Sequence, residues 1–147
     1  MLKFPLMAKE KQFELEENPK LSPVILNNLF ESIGWSTRDD DKWLEVQDKT
    51  SYFVAKWDKN RLIGMGRIVE DGVMCMIYDV CVRPQYQSQG VGTSIMERIV
   101  DQVRDKGYAS IGLFVWEGNL KAAEFYKRFG FEKVGTGMEL VALMQRE

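Results

Sequence analysis

Histidine is missing altogether from the 147 residues, and cysteine occurs only twice. The first absence removes every Ser-His or Cys-His nucleophilic arrangement. Proton transfer must then fall to carboxylates, tyrosine, lysine, cysteine or water. Cys75 and Cys81 lie six residues apart in one apolar run that reads as a strand. That spacing separates their Cα atoms by roughly 20 Å, too far for a disulfide. With no histidine and no close cysteine pair, a zinc or iron site is not expected. No apolar stretch reaches membrane-spanning length. Met1 to Lys11 holds three lysines but lacks the apolar run and cleavage site of a secretory leader. Neither sign of charge dominates: the formal net charge is -2 and no Lys/Arg run stands out. Nucleic acid and anionic membrane are therefore not expected as main partners, and the exclusions together predict a cytoplasmic protein.

What is present is ordinary for a globular chain, with 45% hydrophobic and 29% charged residues. The length predicts one domain over residues 1–147 with a single core, and no repeat or Pro/Gly/Ser-rich linker divides it. Gln12 to Glu17 reads as a first strand. Ser22 followed by Pro23 starts a helix, since proline suits the first helical position. Leu26, Leu29, Phe30 and Ile33 keep helical spacing up to Gly34. A second helix follows Thr37, with Asp39, Asp40 and Asp41 where the helix dipole favours negative charge. Ser51–Trp57 and Arg61–Val69 read as strands joined by the turn Asp58-Lys59-Asn60. Val73–Val82 is a nearly continuous apolar strand, suited to burial on both faces. A helix is predicted from about Val91 to Lys106, stopped by Gly107, then a strand Ser110–Trp116. A short helix Asn119–Phe129 precedes a closing hairpin of Phe131–Val134 and Met138–Met144. The strand, crossover helix and parallel strand of residues 73–116 form one right-handed unit. The other strands are joined by tight turns and so are antiparallel.

Between the apolar strand and its helix stands Gln87-Ser88-Gln89-Gly90-Val91-Gly92. A glycine-bearing loop that opens a helix aims backbone N–H groups and the positive end of the helix dipole at one spot, where a diphosphate can dock. A Cβ at Gly90 or Gly92 would keep that ligand off the backbone. A dinucleotide fingerprint would need glycine where Ile95 stands, and a P-loop would need Lys-Ser or Lys-Thr after the last glycine, where Thr93 stands. A glycine-eased turn without ligand is the bland alternative.

The pattern Gln-x-x-Gly-x-Gly resembles the acyl-coenzyme A site of the GNAT superfamily of N-acetyltransferases. Tyr78-Asp79-Val80-Cys81-Val82-Arg83-Pro84 ahead of it is similar to that family's central strand. Gly118-Asn119 through Ala122-Ala123, Phe125-Tyr126 and Phe129-Gly130-Phe131 is similar to its second signature. The resemblance runs from about Gln12 to Met144 and implies an α/β fold. Its sheet would be mixed and mostly antiparallel, with a central splayed parallel strand pair and helices on both faces. It implies acetyl-coenzyme A as donor and direct transfer to a primary amine. On that resemblance, Cys81 and Val82 hold the pantetheine arm through main-chain bonds, and Gln87, Ser88, Gln89, Gly90, Val91, Gly92 and Thr93 hold the diphosphate. A strand N–H near Val80 polarises the thioester carbonyl. Asn119 touches the cofactor near its pantetheine, and it also reads as a plain helix N-cap. Tyr126 is assigned as general acid, because a phenol has a proton to give at neutral pH; on spacing alone, it reads as core packing with Phe125 and Phe129.

No base is assigned. The family's glutamate on the central strand falls here at Met76, which cannot serve. Asp79 reads as a hydrogen-bonded structural carboxylate, Glu31, Asp39 and Glu45 as solvated charges, and a water chain is an equal candidate. Cys81 has no cation beside it in sequence to activate the thiol and reads as buried. Phe30, Trp35, Trp43, Tyr52, Arg67 and Tyr78 are candidates for an acceptor wall. A small-molecule amine is the leading acceptor class. A protein N-terminus or lysine, or a non-catalytic acyl-coenzyme A binding module, are the alternatives. The resemblance also admits a homodimer, which no residue pattern here predicts.

Overall fold

The computed structural model describes residues 13–144. These fall into two compact units, one ending at Leu113 and the other beginning at Phe114.

The first unit holds a five-stranded sheet in the order β1 (Glu14–Glu17), β2 (Tyr52–Asp58), β3 (Arg61–Glu70), β4 (Met74–Val82) and β5 (Ser110–Gly112). All neighbours are antiparallel except β4 and β5, which are parallel. This is the mixed, mostly antiparallel α/β architecture expected. Helix α1 (Pro23–Ser32) begins as its residues dictate: the Ser22 hydroxyl accepts from the Ile25 N–H and Pro23 occupies the first turn. Helix α2 (Asp40–Lys49) is capped by Asp39, whose carboxylate accepts from the Lys42 N–H at 2.8 Å. The Asp58-Lys59-Asn60 turn joins β2 to β3, with Lys59 left-handed.

Helix α3 (Val91–Val103) ends three residues before the expected Lys106. Asp105 and Gly107 both take positive φ, which stops the helix there.

Alternation along β3 sorts the helices onto opposite faces of the sheet. A Cβ at Gly64 or Gly66 would meet Ile95 of α3 at 3.0 and 2.9 Å, so that face carries α3. Met65, pointing the other way, packs in a buried cluster with Leu26, Leu29 and Phe30 of α1 and Trp43 of α2. The two glycines let α3 approach the backbone of the sheet, which fixes where its N-terminus lies.

In the second unit, α4 (Leu120–Lys127) is capped by Asn119, whose side chain accepts from the Ala122 N–H at 3.1 Å. Two strand expectations are corrected. The strand expected over Ser110–Trp116 ends at Gly112, because its ladder to β4 closes at Met76↔Gly112. The hairpin expected from Phe131–Val134 and Met138–Met144 does not form among the described residues. Instead residues 131–140 carry no ladder, and Val141–Leu143 make a single 3-10 turn. Apolar residues favour a strand only where a neighbour supplies hydrogen bonds and a surface to cover them. Here Val134 and Met138 are 98% and 97% exposed.

Candidate active site

β4 carries a bulge that the sequence does not announce. Gly64 pairs with Val82 and Met65 with Cys81, but Arg67 pairs with Tyr78, so Asp79 and Val80 stand opposite the single residue Gly66. Asp79 takes a left-handed φ of 57°, an uncommon choice for a residue with a side chain. The extra residue puts the Tyr78 and Asp79 side chains on the same face, with Arg67 and the two helices α1 and α2. Pairing with β5 covers only Met74, Cys75 and Met76, so from Ile77 onward, through the bulge to Val82, β4 is laddered to β3 alone. Main chain from Tyr78 to Val82 therefore lies at an edge of the described sheet, the arrangement needed to pair with an extended ligand arm.

The strand leads through Arg83 and a 3-10 turn at Pro84–Tyr86 into the glycine loop. Arg83 is buried and donates from Nε and Nη2 to the Leu62 carbonyl at 3.1 and 2.9 Å, and from Nη2 to Asn28 Oδ1 at 2.9 Å. The loop is thereby anchored to the start of β3 and to α1. Gln87 turns its amide side chain back onto the Val82 carbonyl at 3.0 Å, and Gln89 does the same to Gln85 at 2.9 Å. These two side chains shape the loop rather than reach outward. Ser88 and Gly90 both have positive φ, 62° and 85°. Gly90 is the N-cap of α3, and no side chain caps that terminus; the first helical bond runs from the Ser94 N–H to the Gly90 carbonyl. A helix cannot satisfy its own leading N–H groups. The end of α3 over Gly90, Val91 and Gly92 thus presents backbone donors and a positive dipole end, while the Val91 side chain anchors the turn in the core.

Cys81 is buried, and burial pushes its thiol well up, with the Asp79 charge acting in the same direction. It is suited to packing and not to nucleophilic attack. Val80 lies half-buried, with its side chain toward α3. Asn119 and Tyr126 belong to the second unit. Asn119 acts as the N-cap described above. Tyr126 lies half-buried on α4, edge-to-face with Phe125 at 5.1 Å and Phe131 at 6.0 Å.

Of the acceptor-wall candidates, Phe30, Trp43 and Tyr52 are core residues. The Tyr52 hydroxyl donates to Glu17 Oε2 at 2.6 Å. Trp35 remains 42% exposed, edge-to-face with Phe30, and Tyr78 lies half-buried beneath the Arg67 guanidinium.

Asp79 is the hydrogen-bonded structural carboxylate that the sequence suggested, but sequence reading missed its partner Arg38. Asp79 accepts from Arg38 Nη1 at 2.9 Å and Nη2 at 3.0 Å, and from Arg67 Nε at 2.7 Å. Burial alone would raise its pKa, but the hydrogen bonds and charges of the two arginines outweigh it and hold the carboxyl below its ordinary range. Asp79 is thus an ionised structural carboxylate. Arg38 lies 41 residues away in sequence, so no local signal could have found it.

Residues 19–131 match the Acetyltransferase (GNAT) family. A chloroplastic GCN5-related N-acetyltransferase of Arabidopsis thaliana is 29% identical over 83% of this chain and 62% of its own length. A histone acetyltransferase of Glycine max is 32% identical over 78% of this chain and 53% of its own. The chain thus spans less than two thirds of either relative. Among solved structures, a probable acetyltransferase of Staphylococcus aureus superposes with a TM-score of 0.76 at 26% identity, over 87% of this chain and 98% of that one.

Proposed function

Because the chain belongs to the acetyltransferase (GNAT) family, we propose that it moves an acetyl group from acetyl-coenzyme A directly to a primary amine. The observation that carries this reading is the uncapped N-terminus of α3, opened by left-handed Gly90, next in sequence to the half of β4 that β5 leaves unpaired. A dianionic diphosphate and an extended amide-bearing arm are the chemistry those two features fit.

When bound, acetyl-coenzyme A supplies an activated thioester carbonyl. The chain's own part is to bind and to polarise. Backbone N–H groups of Gly90, Val91, Gly92 and Thr93 hold the diphosphate without any cationic side chain. Main chain of Cys81 and Val82 holds the arm, with the Val82 carbonyl already sharing the Gln87 amide. The Val80 N–H is the donor for a carbonyl oxygen that gains charge, a role typically worth 10²–10³ in rate. The Tyr126 hydroxyl holds the proton that a thiolate leaving group requires. Tyr126→Phe is expected to lower kcat ~10-fold or more, within the range for lost acid–base help. Unchanged turnover with chemistry rate-limiting would remove that role.

The proposed acceptor is a small-molecule amine. A protein amine is the second reading, supported by the name of the Glycine max relative, a histone acetyltransferase. Thiol release from acetyl-coenzyme A across a panel of alkylamines, arylalkylamines, aminoglycosides and a histone peptide separates the two. Turnover confined to the peptide would overturn the small-amine reading. Coenzyme A binding by calorimetry tests the premise: no heat at millimolar ligand would remove the family activity from this chain.

A further inference from the structure

The Asp79 carboxylate needs one guanidinium to balance its charge, and Arg67 from the neighbouring strand already provides it at 2.7 Å. A second arrives from elsewhere. Arg38 lies between α1 and α2, and it grips both carboxylate oxygens in a fork. Its main chain is held equally firmly. The Arg38 N–H donates to Asn27 Oδ1 at 3.0 Å, and its carbonyl accepts from Asn27 Nδ2 at 2.8 Å. Asn27 Oδ1 also accepts from Trp43 Nε1 at 2.6 Å. The Arg38 guanidinium lies over the Phe30 and Trp43 rings, 5.0 and 4.6 Å from their centroids. On the far side, Arg67 Nη1 reaches the Thr50 hydroxyl at the end of α2 at 3.3 Å.

These contacts form one connected set. They join both ends of α2, and α1 through Asn27, to the residue of β4 whose left-handed backbone makes the bulge. The same bulge delivers the Val80 N–H and the unpaired main chain beyond it. We propose that Arg38, acting through Asp79, is a positioning residue: it holds the α1–α2 loop, where exposed Trp35 stands, in register with the open half of β4 and so aligns the acceptor amine with the donor's carbonyl. The inference rests on the acetyltransferase reading above. Stability alone does not call for this arrangement, because a second guanidinium on a carboxylate already paired leaves net positive charge in a half-buried place. Alignment does call for it, since displacing a reacting group by an ångström can cost about 10²-fold in rate.

Arg38→Gln and Arg38→Lys test the proposal. Both leave Asp79 paired with Arg67, so folding is retained. Three measurements are made on each and on the wild type: calorimetric coenzyme A affinity, native-state amide exchange, and steady-state kinetics with the best amine of the panel. The expected result has four parts. Coenzyme A affinity stays within about threefold. Exchange of residues 35–39 and of Val80 and Cys81 rises together, by about tenfold or more. kcat/KM for the amine falls ~10- to 100-fold, by the same alignment argument. Lysine fails to rescue, because an ammonium cannot span both carboxylate oxygens. Full amine kinetics in Arg38→Gln would overturn the proposal, as would rescue by lysine. So would loosened exchange in the loop with the bulge unchanged, or a loss of coenzyme A affinity in step with the loss of amine turnover. A wild type that binds no coenzyme A would instead sink the functional reading.

Discussion

The two halves of β4 share a strand, a neighbour and a composition, yet they are built for different work. Cys75 and Met76 are laddered on both sides, to β3 and β5, as residues in the body of a sheet should be. Tyr78 to Val82 keeps only β3. Nothing in side-chain chemistry separates Met-Cys-Met-Ile from Val-Cys-Val. The division comes from the backbone: the β5 ladder stops at Met76, and three residues later the register with β3 slips at Asp79, with φ of 57°. Main-chain groups without a strand neighbour must be served by side chains, water or a ligand, and the Gln87 amide already serves the Val82 carbonyl. An edge of this kind, followed closely in sequence by a helix end whose N-cap is glycine, is therefore the informative thing about this molecule. The closed half has neighbours on both sides, and the open half is the part to which the proposed function assigns binding.

The most severe way to break this contrast is to remove what holds the bulge. Asp79→Ala leaves Arg67, itself 9% exposed, without its carboxylate. Taking one partner from a largely buried pair costs about 3 kcal/mol or more, to be read as a lower urea midpoint at constant slope. A loss under about 1 kcal/mol would mean that the clamp does not sustain the bulge.

Gly66→Ala attacks the same point from the other face. Its new methyl would lie 2.9 Å from Ile95 Cγ2 and Ile99 Cδ1. Overpacking of this kind costs about 1–3 kcal/mol, and it would push α3 and its N-terminus away from the sheet. Coenzyme A affinity should weaken along with the melting temperature. Retained affinity at a lowered melting temperature would show that the helix end is set by the loop instead.

Acid offers a gentler probe. The folded-state pKa of Asp79 is depressed, so the clamp contributes its full stability above the ordinary carboxylate range. That contribution fades as pH falls from about 4 through the lower folded value. Between pH 5 and 2 the wild type should lose more stability than Asp79→Ala, which has no such group to protonate. Parallel acid profiles would contradict the assigned protonation.

The smallest effect is expected in the closed half. A Cβ at Gly112 would meet only Met76 Sδ, at 3.4 Å, an ordinary contact. Gly112→Ala should be neutral or stabilising by about 0.5 kcal/mol through the unfolded chain, with coenzyme A binding unchanged. If it matched Gly66→Ala in cost, the two halves would not differ as described.

Much of the scaffold was legible beforehand because its signals are local. Ser22-Pro23, the aspartates from Asp39, and Asp58-Lys59-Asn60 each act on backbone within a few residues, and each lies where it was expected. Asn119 as an N-cap was equally readable. The closing hairpin misled because apolar residues on either side of Gly135-Thr136-Gly137 report what a strand would need, not whether a partner strand arrives. The pKa direction of Asp79 was unreadable for a related reason: both of its arginines come from other elements.

The chain's own order of residues determined where helices start, where turns fall, and that a glycine-bearing loop opens α3, since these depend on neighbours a few bonds away. Only the tertiary structure decided that β4 slips its register with β3 at Asp79 and that Arg38 reaches across to that residue. A bulge is a mismatch in register between two strands, and a clamp is a meeting of distant side chains. Both exist only once the chain has brought those segments together.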